Sequence, residues 1–281
     1  MITCAISSWQ PSPATAIRPT FAIGDVHGRL DLLNALHQKI RDLLAEEKRA
    51  ANEAGEGAAP LLVHLGDYID RGPHPLACLQ TVLRGLDGIE TATLPGNHEQ
   101  FMSRSLTAAE DNLAGVLQGW FAYNCGTAVA RELGYDQPFD ALAEPGRFMD
   151  RLRQRLGRDL LDRFAAMPTH LRQGNYLFVH GGLHPDIDIK TQLAKPWGEY
   201  LGGASDADPL WVRGPFLTYE GRFAEDLVVV HGHTISSQPE IRHNRIGVDT
   251  GAFTTGRLTA VELRGSELRF ITATGMPVDW F

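Results

Sequence analysis

The fold is decided by residues 61–72, which read LLVHLGDYIDRG. The run LLVHL is short and mainly apolar, as in a buried strand, and Gly66 ends it. Two further apolar runs end in the same way: FAI at 21–23 leads into GDVHG, and IETATL at 89–94 leads into PGNHE. A strand followed by a glycine-rich polar turn is therefore repeated three times.

Helical patterns lie between these strands. Leucine and isoleucine recur at helical spacing between residues 30 and 44, and residues 74–83 also read as a helix. Strands that alternate with helices indicate crossover connections and a parallel sheet. Two later strands, at 175–179 and 227–230, lead into HGG and HGHT. Since open α/β sheets hold ligands at the carboxyl ends of their strands, the five polar turns are predicted to meet at one site.

The composition narrows the class of protein. The 281 residues are 43% apolar and 21% charged, which is typical of a globular chain with a sizeable core. The formal net charge of -8 argues against a general nucleic-acid binder, although local arginines or metal ions can still serve a phosphate-bearing substrate. We find no signal peptide and no apolar run of about 18 residues, so we expect a cytoplasmic protein that does not contact a membrane.

Cysteine usage agrees with that compartment. Cys4, Cys78 and Cys125 are odd in number and far apart, which excludes a disulfide framework and favours reducing surroundings. The polar turns contain no cysteine, so a thiolate zinc site is not expected there.

The domain organisation follows from the spacing of the apolar runs. Residues 1–18, rich in Pro, Ser and Thr, read as an irregular N-terminal arm, and residues 19–281 read as a single domain. Residues 99–170 lack strand patterning and carry apolar side chains at helical spacing, which predicts a helical insert. The tail is expected to add three antiparallel strands of a second sheet, at 245–248, 258–263 and 268–271.

The side chains of the five turns suit divalent metal ions. Carboxylate, imidazole and amide oxygen together are typical ligands of Mn, Fe or Zn. One aspartate can bridge two ions with its two oxygens and hold them about 3.5–4 Å apart. Two ions that share a water molecule lower its pKa and supply a hydroxide nucleophile at neutral pH.

The turns GDVHG, GDYIDRG, GNHE, HGG and GHT, in this order, resemble the bacterial phosphoprotein phosphatases. These PPP-type serine/threonine phosphatases belong to the calcineurin-like metallophosphoesterase superfamily. The resemblance runs from about residue 20 to residue 263. It implies an α/β fold, a two-sheet αββα sandwich with the helical insert near the site. The chain departs from the bacterial pattern at Cys125-Gly126, where members often carry paired glycines.

The resemblance also implies roles for individual residues. One ion would be held by Asp25, His27 and Asp67, and the second by Asn97, His180 and His233, with Asp67 bridging the two. His98 would be the general acid, and Asp70 would orient it. Arg71 and Arg213 would hold the phosphate oxygens, because a guanidinium donates two parallel hydrogen bonds and keeps its charge.

The implied function is metal-dependent phosphomonoester hydrolysis by a hydroxide held between two divalent ions, with Mn2+ as the first choice and Fe or Zn as alternatives. We expect a protein serine/threonine phosphatase acting on a phosphorylated protein or a small phosphate ester. The alternative is a symmetrical dinucleoside tetraphosphate hydrolase, which shares the five motifs. Tyrosine phosphatase activity stays open. A nuclease is disfavoured because Ile235 stands where nucleases carry another histidine, and a binding module without catalysis is disfavoured because every expected site residue is present.

The stretch from Arg147 to Arg163 contains six arginines among three aspartates. The simpler interpretation is the solvated face of an amphipathic helix. The alternative is a cap above the site that contacts an acidic substrate.

Overall fold

The computed structural model describes residues 1–51, 58–194, 196–199 and 207–278. Its strands form two five-stranded sheets. The strands are β1 (Thr3–Ile6), β2 (Gln10–Ile23), β3 (Leu61–His64), β4 (Glu90–Thr93), β5 (His170–Gln173), β6 (Tyr176–Val179), β7 (Val228–His231), β8 (Glu240–Ile241), β9 (Arg245–Gly247) and β10 (Arg257–Thr274).

Helices connect these strands and cover the outer faces of the sheets. They are α1 (Leu30–Ala51), α2 (Pro75–Arg84), α3 (Asn97–Thr107), α4 (Glu110–Asn124), α5 (Thr127–Glu132), α6 (Pro145–Ala165), α7 (Ile189–Leu193), α8 (Gly214–Leu217) and α9 (Ala252–Thr255). Short 3-10 turns occur at Pro138–Leu142, Trp197–Glu199 and Ala224–Asp226. No helix among the described residues is long and apolar enough to cross a membrane.

The two sheets share one design. The first has the order β1-β10-β2-β3-β4, and its β2, β3 and β4 run parallel. The second has the order β5-β6-β7-β9-β8, and its β6, β7 and β9 run parallel. In the first sheet β10 pairs antiparallel with both β1 and β2, and in the second sheet the edge strands β5 and β8 pair antiparallel with their neighbours. Each sheet therefore sends the carboxyl ends of three parallel strands toward one edge.

Three apolar layers hold the sheets and helices together. Between the sheets, Ala22 and Val63 of the first sheet belong to the same buried cluster as Phe178, Val230 and Ile246 of the second. The outer face of the first sheet packs on the buried stripe of α1, and the outer face of the second packs on a cluster that includes residues of α8. The predicted α/β sandwich of two sheets and flanking helices is thereby confirmed.

The expectation of an irregular arm over residues 1–18 is wrong. β1 and the first half of β2 lie there, and both pair antiparallel with β10. The prolines at 11, 13 and 19 concealed the strand because proline cannot donate a hydrogen bond within a sheet. β3 pairs with β2 only from Thr20 onward, so these prolines occupy a stretch that keeps one edge free.

The expected tail strands are also corrected. The segments 258–263 and 268–271 are parts of the single strand β10, which pairs with β1 and β2 in the first sheet. Its register shifts around Gly265, whose φ is 50°, so a bulge joins the two segments expected as separate strands. Only Arg245–Gly247 joins the second sheet, where it runs parallel to β7.

The stretch expected as a helical insert contains α3 to α6 before β5 begins at His170. On α6, five of the six arginines pair with nearby acids, as in Arg155 with Glu132 and Arg163 with Asp159. The sixth, Arg151, donates to the Leu133 carbonyl. These partners favour the solvated-face interpretation of this helix over a contact with substrate.

We predict that two isoleucines of β2 differ sharply in their contribution to stability. Ile23 is fully buried, whereas Ile17 is 68% exposed. Ile23→Ala should lower the free energy of unfolding by about 2–5 kcal/mol, because it leaves a cavity in the core. Ile17→Ala should stay within about 0.5 kcal/mol of the parent. Urea denaturation measures both, and equal losses would contradict the placement of β2.

Candidate metal centre

The five polar turns meet where the parallel strands of both sheets end. Two groups of buried side chains lie there, each with its potential ligand atoms within 4.8 Å of one another. One group is His27, Asp67 and His98, and the other is Asp67, His180 and His233. Asp67 therefore stands in the middle, between residues contributed by the first sheet and residues contributed by the second.

Asp67 turns one carboxylate oxygen toward each group. Its Oδ2 lies 3.4 Å from His27 Nε2 and 3.8 Å from His98 Nε2, and its Oδ1 lies 3.4 Å from His180 Nε2. These separations leave the carboxylate and the imidazoles facing a common space. An aspartate between two sets of donors is the arrangement that bridges two ions.

The remaining ligand candidates border the same space. Asn97 Oδ1 lies 3.0 Å from His180 Nε2, so the amide oxygen belongs to the His180 side of the centre. Asp25 Oδ1 accepts a hydrogen bond of 2.9 Å from the backbone N–H of His233. The structure thus brings together all six residues for which the sequence implied a metal-binding role: Asp25, His27, Asp67, Asn97, His180 and His233.

The tautomers of two histidines are set for ligation. Nδ1 of His27 lies 3.0 Å from the Ile69 carbonyl, and Nδ1 of His180 lies 2.9 Å from the Leu65 carbonyl. A carbonyl only accepts, so each Nδ1 carries the proton. The Nε2 atoms that face Asp67 then keep their lone pairs in the neutral ring, as metal ligands must.

The backbone around the centre is tight and strained. A Cβ on Gly96 would stand 2.1 Å from Asp67 Oδ1, so only glycine fits beside that carboxylate. Positive φ angles occur at non-glycine residues of the site, 53° at Asp67 and 66° at His233 among them. Such strain persists where the surrounding structure imposes it, and it concentrates at functional sites.

Nearby positive charge would stabilise the buried carboxylates of the site. Burial raises the pKa of Asp25 well above its usual range, and the nearby carboxylates of Asp249 and Asp67 raise it further. Burial also raises the pKa of Asp67 and of Asp249 to about 6. Divalent ions at this position would offset the mutual repulsion of these buried carboxylates.

Burial acts on the histidines in the opposite direction. It lowers the pKa of His180 to about 4 and takes the pKa of His27, His98 and His233 well below the ordinary value. These rings are therefore neutral at pH 7, which is the form that binds metals. Neutral imidazoles, crowded carboxylates and an amide oxygen fit a pair of borderline divalent ions.

His98 stands at the edge of this donor set. Its Nδ1 lies 2.7 Å from Asp70 Oδ2, and its Nε2 lies 3.2 Å from an Arg71 guanidinium nitrogen. Both His98 and Asp70 are buried. The carboxylate therefore fixes one ring nitrogen while the other faces the centre, as the sequence implied.

The second arginine approaches from the opposite sheet. Arg213 donates to the carbonyl of His233 at 2.9 Å and to the Thr234 hydroxyl at 3.1 Å. Its side chain is exposed, so it borders the centre on the solvent side. Arg71 therefore lies beside His98 of the first group, and Arg213 lies beside His233 of the second.

Three site residues were not assigned a role from sequence. Glu99, fully buried, accepts hydrogen bonds from the backbone N–H groups of Asp67, Tyr68, Ile69 and Gly96. Trp120 of α4 donates to Asp70. Asp249 lies against Asp25. Glu99 belongs to the GNHE motif and Asp249 directly follows the strand expected at 245–248, whereas no local signal in the sequence links Trp120 to Asp70.

The chain resembles known phosphoesterases along most of its length. A model of the family described as calcineurin-like phosphoesterase matches residues 18–252. A relative from Halalkalibacterium halodurans, bis(5'-nucleosyl)-tetraphosphatase PrpE [asymmetrical], is 28% identical and aligns 89% of this chain with 91% of its own. A symmetrical bis(5'-nucleosyl)-tetraphosphatase from Neisseria meningitidis is 25% identical, over 92% of this chain and 97% of its own.

A solved structure shares the fold. The cold-active protein-tyrosine phosphatase of a psychrophilic Shewanella superposes with a TM-score of 0.52 at 20% identity. The match covers 90% of this chain and 80% of that protein.

We predict that Mn2+ binds less tightly in acid. The metal-free pKa of Asp67 is about 6. The carboxyl is therefore ionised at about pH 7.5 and protonated at about pH 5, where an ion must displace its proton and affinity falls about tenfold. Isothermal titration calorimetry at both pH values measures this. Asp67→Asn should abolish the tight binding, whereas Asp87→Asn, at an exposed position, should not; pH-independent affinity would contradict the prediction.

We predict that Glu99→Gln disorders the centre. The amide nitrogen would face backbone N–H donors, so the free energy of unfolding should fall by about 2–3 kcal/mol and Mn2+ affinity should fall with it. Glu132→Gln is the matched control, because Glu132 also accepts from two backbone N–H groups, those of Leu76 and Ala77, outside the centre. It should lower stability but keep Mn2+ affinity; unchanged affinity in Glu99→Gln would refute the prediction.

Proposed function

The chain belongs to the calcineurin-like phosphoesterase family, and we propose that it is a metal-dependent hydrolase of dinucleoside tetraphosphates. The observation behind the hydrolytic part is the pair of buried donor groups that share Asp67. The nucleotide substrate is supported by the two bacterial relatives, which are both bis(5'-nucleosyl)-tetraphosphatases. This favours the alternative drawn from the sequence over a protein serine/threonine phosphatase.

In this proposal six residues hold two divalent ions. Asp25, His27 and Asp67 would bind the first ion. The second ion would be bound by Asp67 together with Asn97, His180 and His233. Bound ions would supply Lewis acidity toward the phosphate oxygens and a hydroxide nucleophile at neutral pH. The protein supplies neutral imidazoles and a shared carboxylate in a fixed arrangement.

Arg71 and Arg213 would bind the polyphosphate. They border the centre beside His98 and beside His233, respectively. A guanidinium keeps its charge at every working pH and donates two parallel hydrogen bonds to phosphate oxygens. Two guanidinium groups on either side of the donor set are better suited to bind a chain of several phosphates than a single small phosphate ester.

His98 would protonate the leaving phosphate oxygen after taking up a proton when substrate binds, because the negative phosphate groups would raise the pKa of its ring above the value that burial gives it. Its Nε2 faces the centre, and its Nδ1 is held 2.7 Å from Asp70 Oδ2. A carboxylate at that position keeps the ring in one orientation and stabilises the protonated imidazole.

We predict that the purified chain with Mn2+ prefers diadenosine tetraphosphate to phosphoserine, phosphothreonine and phosphotyrosine peptides. The preference in kcat/KM should be at least about tenfold, because two arginines contact more than one phosphate. Coupled assays of phosphate and chromatography of nucleotides measure it. ADP alone would indicate attack at the centre of the tetraphosphate, and ATP with AMP would indicate attack nearer one end.

Asp67→Asn is the control for contaminating enzymes, and it should lose turnover of every substrate. A preference for any phosphopeptide would overturn the proposed substrate and return the chain to the protein phosphatases. No turnover by a protein that binds Mn2+ would overturn the proposed catalysis.

A further inference from the structure

A tryptophan from the helical insert touches the acid pair from behind. The indole N–H of Trp120 donates to both oxygens of Asp70, at 2.9 Å to Oδ2 and 3.1 Å to Oδ1. Asp70 Oδ2 is also the oxygen that lies 2.7 Å from His98 Nδ1. All three side chains are at most 2% exposed. They form a buried line of hydrogen bonds that ends at the metal centre.

We propose that Trp120 is a positioning residue that sets the orientation of His98 through Asp70. The inference rests on the proposed hydrolysis but not on a nucleotide as the substrate. A donor shared between two carboxylate oxygens fixes the rotation of the carboxylate about its Cβ–Cγ bond. With that rotation fixed, Oδ2 has one direction in which to hold the His98 ring.

The indole itself is held firmly. Its ring packs edge-on against Phe121 and Phe148, with ring centres 6.2 Å apart in both pairs. The α4 helix ends at Asn124 and is capped by Cys125, whose φ of 58° is left-handed, and α5 begins directly after Gly126. A Cβ on Gly126 would stand 2.8 Å from the indole ring. A glycine at this position therefore leaves the tryptophan its place against Asp70.

The Asp70 carboxyl needs such a donor. Burial raises its pKa well above the usual range, and the Trp120 hydrogen bond acts in the opposite direction. Loss of the N–H would leave a buried carboxyl with a free oxygen and a freer rotation. The effect on the reaction should then depend on how much the leaving group needs a proton.

The test is Trp120→Phe, which removes the N–H and keeps an aromatic ring. With Mn2+ and phenyl phosphate, whose leaving group needs protonation, kcat should fall at least about tenfold with little change in KM. With 4-nitrophenyl phosphate, which needs little protonation, kcat should fall less than about threefold. His98→Ala should show the same pattern more strongly. Equal losses on both esters would overturn the proposal.

Two further variants separate positioning from stability. Gly126→Ala keeps the N–H but pushes the indole away from Asp70, so it should reproduce the leaving-group dependence of Trp120→Phe. Phe148→Leu loosens the same packing without touching the hydrogen bonds. It should lower the melting temperature and affect both esters equally. A leaving-group dependence in Phe148→Leu as large as in Trp120→Phe would refute the assignment.

A readout on the metal-free protein distinguishes failure of this inference from failure of the proposed function. In 15N-histidine spectra, the His98 Nδ1–H bound to Asp70 should exchange slowly with water. In Trp120→Phe its exchange should quicken at least about tenfold, because the carboxylate loses its fixed orientation. An unchanged exchange rate would overturn the positioning role, even if the wild-type chain hydrolyses no ester.

Discussion

The geometry of the candidate metal centre depends on the buried carboxylate of Glu99, which is not one of the proposed metal ligands. Glu99 accepts backbone N–H groups from the turn after β3 and from the turn after β4. Four donors on one side chain tie the two turns together, and Asp67 is held between them in a strained conformation with φ of 53°. Since Asp67 Oδ1 also accepts the N–H of His98, the positions of Asp67 and His98 are both tied to this anchor. The distances around Asp67 follow from this anchor.

Much of the centre could be predicted because parallel strands bring their carboxyl ends together. The turns that follow β2, β3, β4, β6 and β7 are short stretches of sequence, and each can be recognised by a glycine next to Asp, Asn or His. Contacts between residues that are far apart in the chain have no such signature in the sequence. Trp120 meets Asp70 across 50 positions, and nothing near either residue shows it. The first half of β2 was missed because its prolines suit a free strand edge, which depends on where β3 stops.

A bound cation would explain why the protein buries several carboxylates at one site. Asp25, Asp67 and Asp249 lie together and buried, and burial holds the pKa of each above its usual range. Buried carboxylates that are not matched by cations destabilise a fold. Such a cost is tolerated where a bound cation offsets it. The arginines beside the histidines add positive charge on the side that a phosphate would approach.

The donors around Asp67 come from both sheets, His27 from the first and His180 and His233 from the second. The set proposed for the second ion takes Asp67 and Asn97 from the first sheet and His180 and His233 from the second, so neither sheet alone completes it. Binding of that ion at the proposed site would therefore need the two sheets docked against each other. Ion binding at this site and docking of the sheets would then stabilise each other, so a bound ion would favour the folded protein over forms in which the sheets are apart.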